Sequence, residues 1–227
     1  MRKLQSINYP IRRLLFLCLG LSIMAFGIAF SIKAELGTSP ISSAPYVTSV
    51  ISGLSVGVTT ILINSAFILI QILILRRQYD CFQLLQFPAV ILFGMMIDLA
   101  GNVIQGITFS NYFEQWLLCI FGIFLVAFGV SMEVMANLVT TPGEGVVLAV
   151  CKVAPIKFGN MKVVFDLTLV CISVILSLLF LGRLDGVREG TVAAAIFVGL
   201  IAKLAGKLMK KIEAFCLSTE AGVQDGD

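Results

Sequence analysis

Six runs of apolar residues, at 14–35, 57–75, 84–105, 115–136, 160–181 and 190–209, are separated by segments too short to fold alone. Each run is close to the roughly 20 residues that carry a helix across a bilayer core of about 30 Å. A soluble globule has no place for them. Of the 227 residues 59% are hydrophobic and 13% charged, with a mean hydropathy of +1.03, against roughly 25% charged residues in soluble domains. The chain is therefore read as an all-α polytopic membrane protein, its main partner the lipid bilayer. A soluble catalytic or nucleic-acid-binding domain is excluded, and no enzymatic activity, metal or cofactor is expected. His is absent, which removes His catalysis, His metal ligation and His proton relays. The six Cys are scattered without a CxxC pair and read as small core hydrophobes.

The basic N-terminus MRKLQSINYPIRR followed by an apolar run raises the question of a cleaved signal peptide. The run is too long for that, and no convincing small-x-small site follows. Two further stretches, 40–52 and 142–153, suit helices but are too short to cross, and are expected to be re-entrant or interfacial. Charge favours this arrangement over eight crossings. With six spans, the clusters Arg2/Lys3/Arg12/Arg13, Arg76/Arg77, Lys152/Lys157/Lys162 and Lys207/Lys210/Lys211 share one side with both termini. By the positive-inside bias that side is the cytoplasm. Loop 106–114, opposite, has no Lys or Arg, and in loop 182–189 Arg183 and Arg188 are interleaved with Asp185 and Glu189. The expected location is a bacterial plasma membrane.

Sliding the chain by 102 residues aligns GLSIMAFGIAFSIKAELGTSP (20–40) with GIFLVAFGVSMEVMANLVTTP (122–142). Eight of the 21 positions are identical, where composition alone gives about two. Gly57 then meets Gly159 and Asn64 meets Asp166; with three more residues of slip, FGMMIDLAG (93–101) meets VGLIAKLAG (198–206). The expected organisation is a cytosolic N-terminus 1–13, one repeat 14–105, an external loop 106–114, a second repeat 115–211 and a disordered cytosolic tail 212–227. Each repeat has a long span, a Pro-initiated short helix and two more spans. An odd number of crossings inverts the second repeat, an architecture shared by many secondary transporters, with the site where the repeats meet. Gly20 and Gly27, like Gly122 and Gly129, stand seven apart and suit close helix packing.

Candidate site residues follow from helix ends and from charge inside spans. Gly37-Thr38-Ser39-Pro40 and Val139-Thr140-Thr141-Pro142-Gly143-Glu144 read as helix starts, the second with a Thr141-x-x-Glu144 capping box. Free N–H groups at such ends attract an anion or carboxylate. Thr38, Ser39, Thr140, Thr141 and Glu144 are thus candidate substrate contacts. An ionisable residue inside a span costs at least about 2.5 kcal/mol and calls for a reason. Asp98 and its repeat mate Lys203 are expected to pair near the symmetry axis. Asn64 and Asp166 are expected to hydrogen-bond across the interface as further substrate contacts. Glu133 and Glu35, nearer the span ends, are candidate coupling groups. Protonation of Asp98 or Asp166 is the coupling step most available without His.

The set ELGTSP, GLSVGVTTILIN, TTPGEGVVLAV, KFGNMKVVFDL and EGTVAAAIFVGL resembles the YczE/YyaS/YitT group of bacterial inner-membrane proteins over residues 10–210. The resemblance implies a multispan plasma-membrane protein with duplicated halves and supplies no substrate. That group's second turn typically reads Pro-Gly-Asp-Gly, so Glu144 is a conservative departure. The expected function is a secondary transporter of a small polar or anionic molecule, or an ion, rocking one repeat against the other. Two alternatives are a passive aquaporin-like pore and a non-transporting scaffold or accessory protein. Against the pore, the short helix here follows the first span of each half, whereas the aquaporin half-helix follows the second.

Overall fold

A computed structural model describes the backbone of residues 10–224 and the side chains of residues 11 and 13–207. Arg2, Lys3, the side chains of Arg12, Lys210 and Lys211, and Asp225 and Asp227 lie outside the described residues. The described elements are all helical: α1 (Pro10–Lys33), α2 (Pro40–Ser52), α3 (Val56–Leu75), α4 (Gln86–Val103), α5 (Tyr112–Ala136), α6 (Pro142–Val153), α7 (Phe158–Leu181) and α8 (Glu189–Gln224). Two short 3₁₀ turns join α3 to α4. Six segments, Arg13–Lys33, Val56–Gln78, Cys81–Val103, Tyr112–Ala136, Phe158–Leu181 and Glu189–Lys207, are long and apolar enough to cross a membrane. The architecture is that of a helical membrane protein.

α2 and α6 have 13 and 12 residues, so they reach only about 18–20 Å at the helical rise. Both begin with Pro at the first turn, where its missing N–H costs nothing and its fixed φ suits the helix. α2 stops at Gly53, whose φ of 71° provides a left-handed cap. α1 and α5 end through left-handed residues 102 apart, Glu35 (φ 57°) and Asn137 (φ 46°). Asn tolerates that conformation; Glu does so at a cost of about 1 kcal/mol or more. α8 runs through Gln224, so residues 212–224 of the tail expected to be disordered are helical. Its Lys, Leu, Ala and Glu are good helix formers, and neither Gly nor Pro interrupts them between Gly206 and Gly222.

The centre of the fold is the α1–α5 pair. A Cβ on Gly20 would lie 2.9 Å from the Gly129 carbonyl oxygen, and one on Gly27 would lie 2.7 Å from that of Gly122. The later residue of one helix meets the earlier residue of the other, so the two run antiparallel. Since Gly20 aligns with Gly122 and Gly27 with Gly129, the contact is self-complementary, as at a two-fold axis. α1 also packs on α4, and α5 on α8. The short helices cross over: α2 packs on α7, and α6 on α3.

Those crossings are fastened differently. Ser43 and Ser173, both fully buried, share a 2.9 Å hydrogen bond between α2 and α7. At the positions 102 residues removed, Gly145 and Gln71, a small residue on α6 makes room for a long amide from α3. Gln71 Nε2 donates to the Pro142 carbonyl at 3.0 Å and to Gln86 Oε1 at 3.2 Å, tying α6 to α3 and α4. The loop before α8 is held as well. Thr38 N donates to the Gly186 carbonyl at 3.1 Å, and Gly190 N to the Leu36 carbonyl at 2.8 Å. Its arginines are neutralised locally by Arg183–Asp185 and Arg188–Glu189 pairs.

Candidate functional site

A cavity of about 330 Å³ lies where the two halves meet. All eight helices contribute to its wall, and the N-termini of both short helices open onto it through Ser39, Pro40 and Ser42 on one side and Thr140, Thr141 and Pro142 on the other. Much of the remaining wall is apolar, from Leu21 and Met24 on α1, Phe93 on α4, Val126 and Val130 on α5, and Val198 on α8. Asn64 and Thr60 from α3 and Gln86 from α4 add neutral polar groups.

The charged part comes from three consecutive helices. Glu133, near the end of α5, is only 5% exposed. The backbone N–H of Thr141, at the start of α6, is directed at its carboxylate. Glu144, one turn into α6, is close enough to Glu133 for repulsion and lies beside Lys162 and Asp166 of α7. Lys162 Nζ and Asp166 Oδ1 form a 2.6 Å ion pair at i, i+4. Among the described residues Lys162 is thus the single cation beside three carboxylates lining the cavity. A buried carboxylate without a counter-charge costs several kcal/mol even when hydrogen-bonded, so this arrangement is a standing demand for positive charge or a proton.

The geometry relocates several of the expected roles. Ser39, Thr140, Thr141, Glu144, Asn64, Asp166 and Glu133 all line the cavity, and Thr38 does not. Thr38 is buried against the α7–α8 loop, its Oγ1 without a hydrogen-bond partner. The capping box is absent: Thr141 makes no side-chain cap bond, because the α6 N-terminus faces Glu133 and Glu144 lies beside Lys162. The anion site expected there is filled by the chain's own carboxylate. Asp98 and Lys203 do not pair. Asp98 caps α3, accepting from Ser55 Oγ at 2.6 Å and Gly57 N at 2.7 Å. Lys203 is exposed in a separate recess with Ser131 and Asn137. Asn64 and Asp166 face the same cavity without the expected mutual bond: Asn64 Nδ2 donates to its own helix at the Thr60 carbonyl, and Asp166 holds Lys162. Glu35 is exposed at the α1 turn, where its carbonyl accepts from Arg188 Nη1 at 3.0 Å.

Sequence reasoning passed over Lys162, counted with the orienting charges, and Gln71 and Gln86. The signal for Gln71 is the polar break in ILIQILIL, together with its mate Ser173 at the repeat offset.

A family model described as a family of unknown function, DUF6198, matches residues 11–207. The uncharacterized protein YyaS of Bacillus subtilis (strain 168) is 25% identical over 166 residues, covering 72% of this chain and 79% of its own. No solved structure matches the chain.

Proposed function

The chain belongs to DUF6198, a YyaS-like family of unknown function, and from that premise and its central cavity we propose that it is a secondary transporter of a small polar molecule. The observation that carries the reading is the cavity itself, lined by every helix and faced by the N-termini of both short helices. A site where two halves meet is exposed to either side when one half rocks on the other.

In this reading the halves are inverted repeats, α2 and α6 are re-entrant, and both termini are in the cytoplasm of a bacterial cell. The antiparallel, self-complementary α1–α5 contact is what an inverted pair requires, and it supports the axis as the rocking surface. The distribution of Lys and Arg supports the orientation. Coupling belongs to Glu133 and Glu144 rather than Asp98 and Asp166, since Asp98 caps a helix and Asp166 is paired with Lys162. The reading is tested by flux into proteoliposomes of the purified protein. Saturable flux that responds to an imposed gradient and is lost in Glu144→Gln is expected. Non-saturating flux indifferent to both would make the protein a pore, and absence of flux with every solute would leave a scaffold.

A further inference from the structure

We infer that the cavity selects an organic monocation with an apolar body, an alkyl- or arylalkylamine, over anions and neutral solutes of the same shape. The inference rests on the transporter reading for the cavity being a substrate site. It goes further in naming the substrate's chemistry.

Three observations converge on it. Among the described residues the charged groups facing the cavity are Glu133 from α5, Glu144 from α6, and Lys162 and Asp166 from α7, with none from α1, α2, α3, α4 or α8. Lys162 is committed to Asp166 at 2.6 Å, which leaves Glu133 and Glu144 with no ion-pair partner among the described residues. Glu133 is at the same time 95% buried by its 5% exposure, so solvent cannot neutralise it. A positive end of a ligand between Glu133 and Glu144 relieves both their repulsion and their desolvation, whereas a carboxylate there would meet two like charges. The helix end that would otherwise welcome an anion is already turned to Glu133.

The rest of the wall decides what the cation must carry. Leu21, Met24, Phe93, Val126 and Val130 offer no partner to a hydrated or multiply polar solute, and they reward burial of an apolar body. At about 330 Å³ the space is near the lower end of ligand pockets, roughly 300–1,000 Å³, which calls for a small amine. No group of three His, Cys, Asp or Glu among the described residues is placed to hold a metal ion, which favours an organic cation over an inorganic one.

Three probes with one phenyl body test it: 2-phenylethylamine, 2-phenylethanol and 3-phenylpropionate, with binding to the full chain in detergent read by thermal shift and calorimetry. The amine is expected to bind at least tenfold more tightly than the alcohol, and the acid not at all. Amine binding is expected to weaken as pH falls, to drop at least tenfold in Glu144→Gln, and to be unchanged in Glu189→Gln. Glu133→Gln is expected to act like Glu144→Gln if it folds, and Glu144→Gln alone suffices if it does not. Equal binding of all three, preference for the acid, no binding of any, or full amine affinity in Glu144→Gln overturns the cation site. Flux assays separate the two claims. Amine binding without flux removes the transporter and leaves the cation site, whereas saturable flux of an anion without amine binding removes the cation site and leaves the transporter.

Discussion

α3 lies tight against α4, and the contact is made by glycines. A Cβ on Gly94 would sit 2.6 Å from the Gly57 carbonyl oxygen, and one on Gly57 would run into the Gly94 carbonyl. Asp98 of α4 adds two hydrogen bonds to the start of α3. The corresponding helices of the second half, α7 and α8, have glycines at the matching places, Gly159 and Gly199, and around both there is open space. In place of Asp98 stands Lys203, facing elsewhere. At these matched positions the two helix pairs differ: closed between α3 and α4, parted between α7 and α8. Lys162 and Asp166 of α7 and Ala195 and Gly199 of α8 line the cavity in that gap.

Leucine at the two matched glycines is the harshest trial of this contrast. Gly94→Leu is expected to cost more than about 3 kcal/mol and to prevent accumulation of folded protein, since backbone blocks the side chain. Gly199→Leu is expected to fold with a nearly unchanged thermal midpoint while abolishing amine binding by filling the cavity wall. Loss of folding in both would show α7 and α8 to be as closely packed as α3 and α4. A gentler version uses alanine. Gly57→Ala should destabilise by about 1–3 kcal/mol, whereas Gly159→Ala should be neutral or stabilise by at most about 1 kcal/mol, compared by thermal unfolding in one detergent. The caps come next: Asp98→Ala is expected to cost about 1 kcal/mol and Lys203→Ala to stay within about 0.5 kcal/mol. The smallest effect is expected across α2 and α7, where Ser173→Ala removes the hydrogen bond to Ser43 between these helices, about 0.6 kcal/mol, along with a bond to its own helix at the Leu169 carbonyl, and leaves flux saturable.

The helices were largely legible in the residues because their signals are local. Both short helices begin at the prolines, Pro40 and Pro142, and span 40–52 and 142–153 as read from the sequence, and the long ones deviate mainly at their ends. The cavity was legible in part. Ser39, Thr140, Thr141 and Glu144 follow from helix starts, and Asn64, Asp166 and Glu133 from polar atoms inside apolar runs. Partnership was not legible. Asp98 at the start of α3 and Glu133 on the α6 amide each depend on which surfaces meet, and the repeat alone suggested the wrong pair for Asp98.

What the sequence determined alone is the solvent and the units: an apolar chain with clustered Lys and Arg, repeated at an offset of 102 residues, whose helices satisfy their own backbone bonds within lipid. What tertiary structure decided is where those units touch and where they stand apart. Glycine permits close approach without commanding it, so Gly57 and Gly94 meet while Gly159 and Gly199 do not. The sign of the cavity follows from the same cause, because the carboxylates of α5 and α6 are left facing a gap that α7 fills with only one lysine.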